Sequence, residues 1–226
     1  MDKIAVIPAR AGSKRLPKKN YKSFNSRTLV EIARDKCLAT GIFDKVIISS
    51  DDSYFEQLVN CNQVEFLQRS EKLAGDDATT DVVIDFFFEE LPSSDSILWV
   101  NSVSPLQSIQ DIKNCGTRLN DPKVDCVMAI NTLYQHSCIG NKPLNFNPNK
   151  PFEKTQDLEP IQRYIYSCMG WKRKTYVEYR SRGFKGLFPG NMSLVEVSAL
   201  AGMLIKYEED FILCSQIEKA INVFHN

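Results

Sequence analysis

Short apolar, β-branched runs alternate with segments of helical period through roughly the first 130 residues, and this rhythm constrains the fold more than any other feature. "KIAVIPA" (3–9), "DKVIISS" (44–50), "QVEFLQR" (63–69), "SILWVNS" (96–102) and "DCVMAINTL" (125–133) read as five strands. Most are too continuously apolar to have a wet face, so they belong inside a sheet covered on both sides. Between them, "TLVEIARDKCLAT" carries Leu29, Ile32, Ala33 and Cys37 or Leu38 at helical spacing and stops at Gly41. A helical stretch follows Asp51 and Asp52 to about Asn60, and "TTDVVIDFFFEEL" reads as a helix capped at Thr79 or Thr80. "IQDIKNCGTRL" is a further helix. Strand–helix alternation of this kind predicts an α/β fold with a mostly parallel, doubly wound sheet.

The rhythm fails between residues 134 and 188, where "NKPLNFNPNKPF" and scattered aromatics predict hairpins and loops inserted into one domain spanning 1–226. The chain closes with "SLVEVSAL" and a helix over about 207–224, whose inward face would hold Phe211, Cys214, Ile217, Ile221 and Phe224.

The chain has 28 cationic and 28 anionic side chains, so its surface as a whole does not suit nucleic acid or an anionic membrane. The charge is unevenly placed, however. From Lys3 to Arg27 there are eight basic residues and no acidic one. Seven cysteines, odd in number and without metal or redox spacing, read as buried free thiols and predict a reducing, cytoplasmic setting. No apolar run approaches the roughly 20 residues of a membrane span.

The basic stretch "IPARAGSKRLPKKN" leaves the carboxyl end of the first strand, the end where open α/β sheets bind ligands. A glycine-containing turn rich in cations suits a polyphosphate. It lacks the second glycine and the Gly-Lys-Ser/Thr ending of a Walker loop, and the three glycines of a dinucleotide fingerprint. A solvated basic loop stays open as a reading. RNA binding fits less well, because no aromatics interleave with the charges.

The same stretch closely resembles the signature P-A-R-x-G-S-K-x-x-x-x-K-N of the CMP-sialic acid synthetase (acylneuraminate cytidylyltransferase) family. "FDKVIISSDD", "LQRSEKLAGDDATTDVVIDF", "WVNSVSPLQSIQDI" and the terminal "EVSALAGMLIKYEEDF" resemble further family segments, in order. The resemblance implies a doubly wound, Rossmann-like nucleotidyltransferase sheet with an inserted β-hairpin dimerisation region, and a homodimer. It implies CTP and an acidic 2-keto-3-deoxy sugar as partners, with Mg²⁺ accompanying CTP. On that likeness Arg10 and Lys19 hold the β- and γ-phosphates, Ser13 and Lys14 shape the cradle, and Asn20, Thr79 or Thr80, and Asn101 contact the nucleotide.

Two departures stand out against the family pattern. Its metal-holding Asp-x-Asp falls on Leu204 and Lys206, since "EVS" and "EDF" anchor both sides. Either Lys206 supplies positive charge in a catalytic role while Asp51, Asp52, Asp76 or Asp77 lends a carboxylate to nucleotide-bound magnesium, or the chain is a catalytically silent nucleotide-binding relative acting as a regulatory or partner protein. On the sugar side, Gln107 replaces an arginine and Trp171 is new, so Gln107, Arg163 and Trp171 are the candidate acceptor contacts, with Lys172, Arg173 and Lys174 as further cations.

Overall fold

The computed structural model describes residues 2–185 and 187–225. In chain order its elements are β1 (Asp2–Pro8), α1 (Leu29–Thr40), β2 (Lys45–Ser50), β3 (Val64–Gln68), α2 (Glu71–Ala74), α3 (Thr80–Glu90), β4 (Ser94–Val100), α4 (Ile109–Leu119) and β5 (Cys126–Leu133). There follow β6 (Cys138–Ile139), β7 (Lys142–Pro143), β8 (Ile161–Lys172), α5 (Arg173–Ser181), β9 (Met192–Glu196) and α6 (Glu208–His225). The helical stretch after Asp52 is a 3-10 turn over Ser53–Leu58.

Seven strands form one sheet in the order β3-β2-β1-β4-β8-β5-β9. All its neighbours are parallel except the two pairings of β8, which runs antiparallel between β4 and β5. Period-two alternation divides β1 between two cores: Ala5 and Ile7 join one cluster, Ile4 and Val6 the other. The first cluster takes Val30, Ala33 and Cys37 from α1 and Ile112, Cys115 and Leu119 from α4. The second takes Val83, Ile84 and Phe87 from α3 and Tyr176 from α5. The sheet is thus covered on both faces, as the continuous apolar runs require.

The helix ends follow local chemistry. Thr28 and Glu31 form a reciprocal capping box on α1, and Gly41 ends it at φ 65°, a conformation that costs glycine nothing. Ser108 and Asp111 do the same for α4. Thr79 occupies the N-cap position of α3 without bonding the helix amides. On α6, Phe211 and Cys214 are buried and Ile217 is partly so, while the Phe224 side chain lies outside the described residues.

The expected insertion over 134–188 is only partly set apart. Residues Cys138–Ile139 and Lys142–Pro143 make a small hairpin, but Ile161–Lys172 is an interior strand of the main sheet. Its inner half, Ser167 to Trp171, is buried yet built from Ser, Cys, Met, Gly and Trp, which carries no β-branched signal. Gly170 is required there by close packing: a Cβ would lie 2.7 Å from Leu119 Cδ2 and 2.9 Å from Leu98 Cδ1.

Arg173 and Lys172, expected as possible sugar contacts, are braces at the amino ends of the parallel strands, opposite the basic loop. Lys172 Nζ donates to the Asp121 carbonyl at 2.5 Å. The Arg173 guanidinium donates to the carbonyls of Ser94 (2.6 Å), Phe88 (2.8 Å) and Leu91, and sits 4.8 Å from the Phe88 ring centroid. It thereby satisfies the orphan carbonyls at the end of α3. Arg173→Met keeps the stem but strands these acceptors, and should lower the unfolding free energy by about 1.5–3 kcal/mol, read as a reduced urea midpoint. An unchanged midpoint would show that water replaces the brace.

Candidate functional site

The chain runs from β1 outward to β2 and β3, then returns to the other side of β1 as β4. The segments leaving β1 and β4 therefore diverge, opening a crevice at the carboxyl ends of the strands. A cleft of about 470 Å³ occupies it, walled by the basic loop after β1, the segment from Arg69 to Thr80 and the turn after β4.

The basic loop is fixed mainly from below. The Ala11 amide donates to Asp51 Oδ1 at 2.8 Å, tying the loop to the end of β2. Asn20 is 6% exposed and acts as a clip: its Nδ2 donates to the Arg10 carbonyl (3.0 Å) and its Oδ1 accepts from Ser102 Oγ (3.2 Å). Leu16 anchors the loop in a third cluster with Phe24, Ile205 and Phe211. Lys18 takes φ 52° at the start of the 3-10 turn Lys19–Tyr21. Gly12 leaves open space, since a Cβ there would meet nothing within 4 Å. The loop can thus present its backbone and side chains to a ligand.

Five cations line the cleft, Arg10, Lys14, Arg15, Lys19 and Arg69, against Asp76 as the one acid. Asp76 bridges Arg10 Nη1 (3.0 Å) and Lys14 Nζ (2.5 Å). Lys19 Nζ donates to the Ile205 carbonyl at 2.9 Å. Burial, with Arg15 and then Arg10 nearby, pulls the Lys19 ammonium down to about 8. Burial and neighbouring cations thus disfavour the charged form of Lys19.

Arg69 was not singled out by the sequence. It lies one residue beyond β3, is 4% exposed, and lines the cleft with its Nε buried and unpartnered among the described residues. A buried donor without an acceptor is costly unless a ligand supplies one. The signal available in the sequence was its position alone: an arginine at the carboxyl end of a strand two places from β1.

Of the expected nucleotide contacts, Arg10, Ser13, Lys14, Lys19, Asn20, Thr80 and Asn101 do line the cleft together, whereas Thr79 is not among the lining residues. Asn101 is partly committed, donating to the Tyr166 carbonyl at 3.1 Å.

The expected acceptor contacts do not assemble. Gln107 is 1% exposed, its Nε2 donating to the Asn101 carbonyl and its Oε1 accepting from Cys168 Sγ, so it is a core residue. Trp171 is fully buried in the second cluster, its indole N–H donating to the Leu187 carbonyl. Arg163 is exposed, with Nη2 donating to Asn131 Oδ1 at 3.3 Å, and it too lies outside the lining.

Lys206 stands in a neighbouring groove of about 290 Å³ with Leu204, Tyr207 and Asp210 rather than in the cleft lining. The Asp210 carboxylate is taken up by the backbone amides of Lys206 and Tyr207, each at 2.8 Å. The other candidate carboxylates are likewise engaged: Asp76 by two cations, Asp51 by the Ala11 amide, and Asp52 by the Tyr54 amide and Tyr21 hydroxyl. Asp77 is exposed and outside the lining. Among the described residues no group of three or more His, Cys, Asp or Glu is arranged to hold a metal ion. Magnesium is commonly held by one or two carboxylates together with substrate phosphates and waters, and Asp76 is the carboxylate that lines the cleft among the described residues.

The sequence profile of the cytidylyltransferase family matches residues 4–182. An N-acylneuraminate cytidylyltransferase of Escherichia coli O18:K1:H7 is 24% identical over 180 residues, covering 80% of this chain and 40% of that protein. A Helicobacter pylori protein named pseudaminic acid cytidylyltransferase and UDP-2,4-diacetamido-2,4,6-trideoxy-beta-L-altropyranose hydrolase is 30% identical over 218 residues, covering 88% of this chain and 39% of that one. The chain therefore spans less than half the length of these curated relatives. Among solved structures, CMP:2-keto-3-deoxy-manno-octonic acid synthetase complexed with CTP superposes with a TM-score of 0.69 at 13% identity, over 97% of this chain and 99% of that one. The 4-diphosphocytidyl-2C-methyl-D-erythritol synthase of Anaerococcus prevotii DSM 20548 gives 0.67 at 15% identity, over 96% and 98%. Both likenesses speak to the fold. With the motif-bearing loop, the cationic cleft and a profile match over most of its length, the chain belongs to the cytidylyltransferase family.

Proposed function

We propose that this chain transfers CMP from CTP to the anomeric hydroxyl of a sialic-acid-like 2-keto-3-deoxy sugar, releasing pyrophosphate. The carrying observation is the cluster of five cations against one acid at the sheet's switch point. The sugar's hydroxyl oxygen forms a bond to the α-phosphorus, the bond from that phosphorus to the bridging oxygen of pyrophosphate breaks, and the hydroxyl proton passes to solvent. Such chemistry depends mainly on positioning and on neutralising charge. Arg10, Lys14 and Lys19 neutralise the departing phosphates, Ser13 and the Gly12 backbone complete the cradle, and Thr80 and Asn101 border the nucleoside. Arg69 gives its unpartnered donor to the acceptor edge of the pyrimidine, favouring cytosine, whose O2 and N3 both accept, over uracil, whose N3 donates. No step is routed through a protein-held metal.

Leu204 and Lys206, standing where the family pattern implies aspartates, favour a second reading, a nucleotide-binding member of the family without turnover. Pyrophosphate release from CTP with a panel of nonulosonic acids, with and without magnesium, separates the two. Transfer predicts release with at least one sugar; binding without release throughout would establish the silent reading.

A homodimer and a cytoplasmic setting complete the proposal. Tyr134, Ile139, Leu144 and Phe152 leave apolar surface exposed around the small hairpin, which suits a second copy. Tyr164 and Tyr166, also exposed, adjoin it in sequence. Five of the seven cysteines are buried as free thiols, as a reducing compartment allows. In addition, no helix among the described residues is long and apolar enough to cross a membrane.

Two binding experiments test the cradle. A bound triphosphate favours charged Lys19 and raises its pKa from about 8. CTP affinity should then be full below about 8 and fall as pH rises from there toward the higher value that Lys19 takes in the complex, with proton uptake on binding in that window. Lys19→Arg should flatten the slope, because guanidinium stays charged; a wild-type affinity independent of pH would remove Lys19 from the phosphate site. Arg69→Met should weaken CTP by about 10- to 100-fold and narrow the preference over UTP, whereas equal loss for both nucleotides would deny it base readout.

A further inference from the structure

The segment Gly75–Thr79, between α2 and α3, places one carboxylate between two cations of the cradle. Asp76 gives one oxygen to Arg10 Nη1 at 3.0 Å and the other to Lys14 Nζ at 2.5 Å. The same Arg10 nitrogen donates to the Ala74 carbonyl at 3.2 Å. Two cations gripping the two oxygens of one anion is the arrangement that adjacent non-bridging phosphate oxygens would also satisfy. Among the described residues, every hydrogen bond or ion pair from residues 74–79 to the basic loop runs through Arg10 or Lys14.

We infer that Asp76 is an internal counter-anion that occupies the phosphate cradle until a triphosphate displaces it, unlatching Gly75–Thr79 from the basic loop. The inference rests on the reading of Arg10 and Lys14 as phosphate ligands. The pairs are open to solvent, with side-chain exposures of 38% for Arg10, 42% for Asp76 and 81% for Lys14, so the exchange needs no disruption of the core. Exposed pairs are individually weak, and a ligand bearing several charges outcompetes a single carboxylate. Lys14, then Arg10, hold the Asp76 carboxyl below its usual range. Gly75 and Ala78 of this segment also line the cleft, so releasing the latch frees the wall beside the nucleotide. Filling the phosphate end is thereby coupled to the mobility of the nucleoside end.

The test titrates wild type, Asp76→Asn and Asp76→Glu with CTP and, separately, with inorganic tripolyphosphate, by calorimetry in EDTA and again in magnesium. Hydrogen exchange of residues 75–79 in the wild type gives a readout independent of any variant. The latch predicts that Asp76→Asn binds both ligands about three- to tenfold tighter, while Asp76→Glu stays near the wild type. It also predicts that tripolyphosphate speeds exchange of the Ala78 amide, which is bonded to the Gly75 carbonyl at 3.3 Å, in the wild type, and that this amide exchanges fast in Asp76→Asn without ligand. Wild-type binding with Asp76→Asn equal or weaker would overturn the latch alone. Weakening confined to magnesium would also overturn it, making Asp76 a metal-side ligand. Failure of all three proteins to bind either ligand would overturn the cradle reading and the latch together.

Discussion

Mutual repulsion among cations is the constraint on which the site depends. Arg10, Lys14, Arg15, Lys19 and Arg69 share one cleft with a single carboxylate among the described residues, an arrangement that suits an anionic ligand. The Lys19 ammonium registers the cost directly, drawn down to about 8 by burial and by Arg15 and Arg10. Arg69 registers it differently, as a buried donor left without an acceptor. On the proposed reading, both are relieved by the same kind of ligand, a polyphosphate joined to an acceptor-rich base. This is the electrostatic form of preorganisation: the scaffold bears the unfavourable arrangement so that the ligand meets it ready-made.

The fold makes that arrangement bearable. A sheet buried on both faces fixes the ends of β1, β2, β3 and β4, and the charged residues stand on short segments leaving those ends. Support from below is polar and local: Asp51 holds the Ala11 amide, and Asn20 ties Arg10 to Ser102. From behind, the carboxy-terminal segment closes the loop through Lys19 on the Ile205 carbonyl and a Lys22–Glu208 pair at 2.5 Å. The carboxy-terminal segment therefore supports the cradle through its backbone, with Leu204 and Lys206 lining a neighbouring groove.

Sequence disclosed the parts whose chemistry is local. β-branched runs marked the first five strands, apolar residues at helical spacing marked α1, and the charge run marked the cradle, because each signal lies within a few consecutive residues. The inner half of β8 was invisible for the opposite reason: Ser167, Cys168 and Gly170 are small because α4 and the neighbouring strands crowd them, a fact of tertiary packing. Gln107 and Trp171 were misassigned to the acceptor site because a substitution in an aligned motif reveals that the contact changed, not where the new side chain goes. Arg69 was passed over because its significance lies in burial without a partner, which has no sequence signature.

The most direct measurement is a crystal structure of the protein with CTP. Its phosphates should lie among Arg10, Lys14 and Lys19, with the cytosine edge on Arg69 and the Asp76 carboxylate withdrawn from both of its present partners. Nucleotide bound elsewhere, or a cleft in which Arg10 and Lys19 turn away from the phosphates, would contradict the cradle.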